Sequence, residues 1–192
     1  TADTEVQTTD KASSDTVTIY SSRNEQLIQP LLDEFTKATG IPVELVTDDS
    51  GPLIARLQAE STNTPADILL TVDAGNLWQA GQQGLLQPIQ SEVINSNVPE
   101  KYRSVDDLWT GLSLRARTIF YDPAKVQPTD LSTYADLADP KWKGKLCLRT
   151  SKKVYNQSLV ASMIEHYGPE KTEEIVKGWV ANLAAPVFSN DT

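Results

Sequence analysis

One tyrosine, Tyr155, is predicted to lie at a helix start that faces a ligand crevice. The apolar run Leu146–Leu148 predicts a short buried strand, and a polar turn leads from it into an amphipathic helix that begins near Tyr155. In an open α/β sheet such a corner faces the ligand crevice, because ligands lie beyond the carboxyl ends of the strands. A helix start also carries a partial positive charge that favours anions and phenolate oxygens. The alternative is a packing role, the commonest one for tyrosine.

Two arginines, Arg115 and Arg117, form a second candidate site. They lie two residues apart in the run Leu112–Tyr121, which predicts a long strand. Because side chains alternate along a strand, both arginines are expected on the same face. Two guanidinium groups on one face are costly to bury without a carboxylate or another anion. The pair therefore predicts either salt bridges or contact with a bound anion.

The turn after the first predicted strand carries three more candidates. Arg23 and Asn24 are candidates for contact with the same anion. Glu25 is either a first-turn acid favoured by the helix dipole or a residue that contacts the ligand. Asp73 follows the third predicted strand, where a helix cap is the better interpretation than a ligand.

The elements that must position these residues alternate between strand and helix. Every polar turn in the first half of the chain follows the carboxyl end of a strand, which favours a parallel α/β sheet. The third strand is nearly all apolar, as expected of a parallel strand covered on both faces. Two helices follow the corner at Tyr155. The predicted strands are 17–20, 42–46, 66–72, 112–121 and 146–148, and the last helix is 170–183.

The composition excludes several classes of protein. With 26 acidic against 17 basic residues, the formal net charge is −9, which disfavours nucleic acid and anionic membranes as partners. No apolar run approaches the about 20 residues of a membrane span. No secretion signal is seen, so the chain is expected to be cytosolic or already processed. One cysteine and one histidine rule out zinc-type clusters and an internal disulfide.

The order of elements also predicts how the chain is divided. Residues 1–15 are expected to be a disordered leader, 16–113 a first α/β lobe, 114–122 a crossover strand, and 123–192 the start of a second lobe. That second lobe has too few strands for a sheet of its own, so a truncated two-lobe protein is expected. Cys147 is predicted to be buried and unreactive, and His166 to lie on the surface at a helix end.

Four stretches together resemble one family, the periplasmic ferric-ion-binding proteins of bacterial ABC iron importers, also called bacterial transferrins. The resemblance covers nearly everything from Val17 to Thr192. The stretches are VTIYSSRNEQLIQPLLDEFTKATGIPVEL, TPADILLTVDAGNLWQA, SLRARTIFYDP and STYADLADPKWKGKLCLRTSKKVYNQSLVAS.

The resemblance implies the periplasmic binding protein fold, with two α/β lobes, a ligand cleft between them, and an incomplete second lobe here. It implies Fe³⁺ held by tyrosine phenolates, with carbonate or a similar anion in some members. Tyr155 matches a family ligand, and Arg115 or Arg117 resembles the arginine near the anion. It further implies a monomer in the periplasm that delivers ferric iron to an inner-membrane ABC permease, with no chemistry on the ligand.

Two features depart from the family pattern. Some members carry His-Tyr where this chain has Asn24 and Glu25, so either the site is of the tyrosine-plus-anion type or Glu25 supplies an oxygen. The adjacent tyrosine pair of the family does not occur in this sequence. The resemblance also allows a disulfide from Cys147 to a cysteine beyond the given chain.

Two other functions remain as alternatives. A receptor of the same fold could take a phosphonate, thiamine or a polyamine, although arginines without an aromatic cage disfavour a polyamine. A hydrolase or transferase would have to use Asp73 or Glu25, and neither a Ser-His-Asp order nor a phosphate loop supports it.

Overall fold

The computed structural model describes residues 16–189, and the predicted leader, residues 1–15, lies outside them. Three strands are assigned, β1 (Val17–Ser21), β2 (Val43–Thr47) and β3 (Ile68–Leu70). The α-helices are α1 (Glu25–Thr39), α2 (Ser50–Glu60), α3 (Ala74–Gln82), α4 (Glu92–Asn97), α5 (Val154–Tyr167) and α6 (Pro169–Ala181). Short 3₁₀ helices cover Ser61–Asn63, Glu100–Tyr102, Pro128–Asp130, Ala135–Ala138 and Pro140–Trp142.

The described residues fall into two compact units. The first runs to Val72 and includes Ala80–Leu85, and the second comprises Asp73–Gln79 and the residues from Leu86 onward. The division therefore runs through α3 and groups residues 86–113 with the second unit. The predicted lobe boundary at residue 113 differs from it and stays a prediction about the whole protein.

The first unit is built on a parallel sheet in the order β2-β1-β3, as the alternation of strand and helix predicts. Ile19 on central β1 packs with α1 through Ile28 and Leu32. Its neighbour Tyr20 faces the other side of the sheet and packs with α2, because successive side chains of a strand point to opposite faces. The helices cover the two faces of the sheet, and its strands are held in register between them.

One expectation for this sheet is wrong. The third strand is shorter than the predicted 66–72, and Ile68 is 47% exposed instead of covered on both faces. The exposure of Ile68 follows from the position of β3 in the sheet. Within the described chain β3 pairs with β1 alone, so it is an edge strand.

The second unit has a separate core around α5 and α6. Leu137, Trp142, Met163, Ile175 and Trp179 form its buried cluster. Asn182, at the end of α6, is 3% exposed and donates its amide to the carbonyls of Leu137 and Asp139 at 2.9 and 2.8 Å. Buried polar groups need such partners, so this amide fixes the loop below α6.

The predicted strand Leu146–Leu148 is present only as isolated parallel bridges. Leu146 pairs with Leu183 and Arg149 with Phe188. Leu146 and Leu148 pack against the second core. Side-chain alternation then turns Cys147 outward, so it is exposed, and the prediction of a buried cysteine is wrong.

The predicted strand Leu112–Tyr121, which includes the proposed crossover strand 114–122, is not assigned as a strand. A strand is defined by backbone pairing with a neighbour, and within residues 16–189 this run has no such partner. It is mostly exposed, and Phe120 is 90% exposed.

In the described part of the chain, no helix is long and apolar enough to cross a bilayer.

Candidate functional site

Tyr155 is the second residue of α5 and is half-buried. The turn before it is polar, and Lys153 at the helix N-cap makes no side-chain capping hydrogen bond. The helix therefore begins at the corner predicted from the sequence. The role of Tyr155 as a ligand stays a prediction.

Three guanidinium groups surround the ring of Tyr155. The guanidinium carbons of Arg115, Arg117 and Arg149 lie 5.7, 5.8 and 5.5 Å from the ring centre. All three distances are within the range of cation–π attraction. Arg115 and Arg117 therefore share one ring, as their two-residue spacing predicts, although their backbone is not a strand.

Arg149 was missed by the sequence analysis. It lies between the apolar run Leu146–Leu148 and the polar turn before α5, at the same corner as Tyr155. Its Nε donates to the carbonyl of Ser189 at 3.2 Å. Its place directly after a predicted strand was the available signal, since that is where the side chains of a ligand crevice gather.

Asn156, the residue after Tyr155, joins two of the arginines. Arg117 Nη1 donates to Asn156 Oδ1 at 2.9 Å. Asn156 Nδ2 in turn donates to the carbonyl of Arg149. Asn156 is not among the residues predicted from the sequence, because a lone asparagine in a helical turn carries no signal of such contacts.

Tyr134 anchors the arginine-bearing run from another side. Its hydroxyl donates to the carbonyl of Arg117 at 2.7 Å. Burial raises the pKa of Tyr134, and the nearby Arg117 guanidinium partly opposes that shift. The phenol therefore stays protonated and remains a hydrogen-bond donor to the main chain.

The corner is strongly basic in an acidic chain. Besides the three arginines, Lys152 and Lys153 precede α5, and the first turn of α5 holds no acidic residue. Among residues 16–189, no carboxylate forms an ion pair with Arg115 or Arg117. Both interpretations of the pair, salt bridges and contact with a bound anion, stay predictions for the whole protein.

The candidates after β1 lie in the first unit. Asn24 caps α1 by accepting the backbone N–H of Gln26 at 3.0 Å. Glu25 is the first residue of α1 and is exposed. The backbone N–H of Arg23 donates to Ser21 Oγ at 3.1 Å. Their roles toward a metal or an anion stay predictions.

Asp73 behaves as a helix cap, as predicted. Its Oδ1 accepts the backbone N–H of Gly75 at 2.9 Å and the hydroxyl of Ser158 at 2.7 Å. His166, in the last turn of α5, is exposed, also as predicted. No group of three or more His, Cys, Asp or Glu side chains in the described residues could hold a metal ion.

Comparisons with known proteins agree with this architecture. The chain is 47% identical over 176 residues to iron uptake protein A1 of Synechocystis sp., covering 92% of this chain and 49% of that protein. The solved structure of Trichodesmium FutA (IdiA) with iron and citrate matches with a TM-score of 0.85 at 49% identity, covering 92% of this chain and 56% of that one. A putative 2-aminoethylphosphonate-binding periplasmic protein of Salmonella typhimurium is 30% identical over 135 residues, or 68% of this chain and 38% of that protein.

The chain thus spans about half the length of the curated iron uptake relatives. The predicted resemblance to ferric-ion-binding proteins and the α/β fold of periplasmic binding proteins are confirmed by these matches. The model of the family described as bacterial extracellular solute-binding protein matches residues 20–182. This chain belongs to the bacterial extracellular solute-binding protein family.

Proposed function

We propose that this protein captures ferric iron in the periplasm and delivers it to an ABC importer, with Tyr155 as a phenolate ligand. The observation that carries the proposal is the position of Tyr155, at a helix start and within 6 Å of three guanidinium groups. Relatives named for iron uptake and ferric iron binding support it.

The chemistry of the residues fits this cargo. Fe³⁺ is a hard, highly charged ion that favours anionic oxygens. A phenol becomes such a ligand once the metal displaces its proton. The described residues offer no alternative cluster of His, Cys, Asp or Glu side chains. Glu25 is proposed as a further oxygen donor, since its carboxylate is exposed at the start of α1.

Arg115 and Arg117 require an anion in this proposal. A trivalent cation beside their two guanidinium groups would be repelled unless negative charge lay between them. Carbonate or a comparable oxyanion, bound by Arg115 or Arg117 with help from Arg149, would supply that charge and further oxygen ligands. Arg23 and Asn24 are proposed as additional contacts of this anion.

A phosphonate receptor is the second candidate, because a basic corner with three arginines would also bind a phosphonate. The Salmonella relative named above gives that candidate its specific support. Thiamine and polyamines are cations, which the same corner would repel. The relatives are solute-binding proteins rather than enzymes, so no reaction is proposed.

The partners follow from the same proposal. The protein would act as a periplasmic monomer that docks on an inner-membrane ABC permease. Neither nucleic acid nor a membrane surface would be a partner, because the chain carries a net charge of −9.

The test is a titration of the iron-free full protein with ferric citrate in bicarbonate buffer. A visible charge-transfer band, saturating at one iron per protein, is the expected result. A parallel calorimetric titration with 2-aminoethylphosphonate should give no heat of binding. Tight phosphonate binding without an iron band would overturn the proposal in favour of the second candidate.

A further inference from the structure

The side-chain amide of Asn156 occupies a bridging position at the basic corner. It accepts a hydrogen bond from the Arg117 guanidinium at 2.9 Å and donates one to the carbonyl of Arg149. Residues 117 and 156 are 39 positions apart in the chain. The amide therefore connects the arginine-bearing run to the start of α5 and to the turn before it.

A side-chain amide suits both contacts. A guanidinium can only donate, and a backbone carbonyl can only accept, so the bridging group must do both at once. The orientation of the amide follows from these partners, because the flipped amide would place donor against donor and acceptor against acceptor. A carboxylate at position 156 would keep the contact with Arg117 but lose the one with Arg149.

The Arg117 side chain has reason to need such an anchor. It is exposed, and a free arginine side chain loses rotamer entropy when an anion orders it. Tyr134 fixes the main chain of Arg117, and Asn156 fixes its guanidinium. A group held in place before binding loses less entropy on binding, so the anion is bound more tightly.

We infer that Asn156 is a positioning residue, which orients Arg117 and the Arg149 segment around Tyr155 so that an oxyanion can assist iron binding. The inference rests on the proposed function, because it assigns Asn156 to the anion of that site. It adds a residue that neither contacts iron nor carries charge.

The experiment measures the iron affinity of the full protein with and without bicarbonate. Competition with a hydroxamate chelator, which has no carboxylate, gives each affinity. The variants are Asn156→Ala and Asn156→Asp. The control is Gln157→Ala, because the Gln157 amide donates to the carbonyl of Ser151 at 3.0 Å in the same turn but has no arginine partner among the described residues.

In Asn156→Ala the gain in affinity from bicarbonate should fall about tenfold, as expected when a hydrogen bond to a charged group is lost. Its affinity without bicarbonate should match that of the wild type. Asn156→Asp should lose almost all of the gain in iron affinity from bicarbonate, because its carboxylate neutralises Arg117. It should keep the visible iron band. Gln157→Ala should behave as the wild type.

Two failures can be told apart. If the wild type shows no iron band in either buffer, the proposed function fails, and this inference fails with it. If the wild type binds iron but both Asn156 variants gain as much from bicarbonate as Gln157→Ala, only the inference is overturned. Thermal unfolding of each variant establishes that the fold is retained, and Asn156→Asp, similar in shape to asparagine, provides the test if Asn156→Ala does not fold.

Discussion

The Arg149 guanidinium carbon lies 5.5 Å from the centre of the Tyr155 ring, although the two residues belong to different elements. Arg149 precedes the polar turn, and Tyr155 follows it at the start of α5. The turn thus folds a cation back over the helix start. A ligand at this corner would meet the phenol and the guanidinium together.

Tyr155→Phe should weaken ferric iron binding and reduce the visible phenolate-to-iron absorption, because the mutant lacks the oxygen proposed as a ligand. Absorption spectra and chelator competition measure both effects. Tyr167→Phe at the other end of α5 is the matched control and should keep colour and affinity. Unchanged colour and affinity in Tyr155→Phe would remove this residue from the site.

Replacing Arg115, Arg117 or Arg149 singly by alanine should lower iron affinity only when the anion is supplied. The reason is that each arginine is proposed to contact the anion and not the metal. The loss for an arginine in direct contact should be about tenfold or more, as expected for a charge-assisted hydrogen bond. In anion-free buffer each mutant and the wild type should bind alike.

Isothermal titration with and without bicarbonate measures this difference. Lys177→Ala, an exposed residue of α6 paired with Glu173, is the control. If all three arginine mutants gain as much affinity from the anion as the wild type does, the anion role is refuted.

Glu60 should make the stability of the protein depend on pH. Its carboxylate accepts a 2.7 Å hydrogen bond from Arg56 and also one from Tyr20, and these contacts, Arg56 foremost, hold the pKa of Glu60 below its ordinary 4.5. Burial raises the pKa of Tyr20, so its phenol stays a donor. Because the folded-state pKa of Glu60 is lowered, this contribution is present above about pH 4.5 and is lost as the pH falls below it.

Urea unfolding between pH 7 and pH 3 tests the effect. Wild type should be more stable than Glu60→Gln at pH 7, and the difference should shrink toward pH 3. Glu34→Gln removes an exposed ion pair with Lys37 and should change stability little at any pH. If the difference in free energy of unfolding between wild type and Glu60→Gln stays constant with pH, Glu60 is not the source of the pH dependence.

Gly178→Ala should destabilise the second unit by about 1–3 kcal/mol through overpacking. A Cβ at this position of α6 would lie 2.5 Å from the Cβ of Ala138 and 3.0 Å from its carbonyl oxygen. Gly51→Ala in α2 is the control, since a Cβ there meets nothing within 4 Å. Because Pro52 disfavours helical backbone at a preceding residue with a Cβ, that change should destabilise slightly, and by less than Gly178→Ala. Thermal unfolding that shows equal effects at the two glycines would disprove the close packing.

The sheet of the first unit could be predicted because its signals are local. The runs around Ile19 and Leu45 are apolar and β-branched, Gly40 ends α1 in a left-handed conformation, and helix and strand periods alternate without a break. Such signals act over one turn of helix or a few residues of strand, so they can be recognised in a single sequence.

The candidate site was predictable only in part. Tyr155, Arg115 and Arg117 follow from the spacing of residues and from the resemblance. Arg149 and Asn156 do not, because neither the position of Arg149 after a predicted strand nor a lone asparagine in a turn indicates which groups the side chain contacts. The exposure of Cys147 could not be predicted either. It depends on the fact that Leu146 and Leu148, on both sides of it, face the core.

The bridges from Leu146 to Leu183 and from Arg149 to Phe188 have a consequence for folding. They join the two ends of a chain segment that contains both α5 and α6, so this segment forms a closed loop. The amides of Ala184 and Phe188 donate to the carbonyls of Leu146 and Leu148 at 2.8 and 3.0 Å. These amides should exchange their hydrogens with solvent at a common rate, since opening the loop exposes them together. The start of α5, which carries Tyr155, would then fold and unfold together with the rest of this loop.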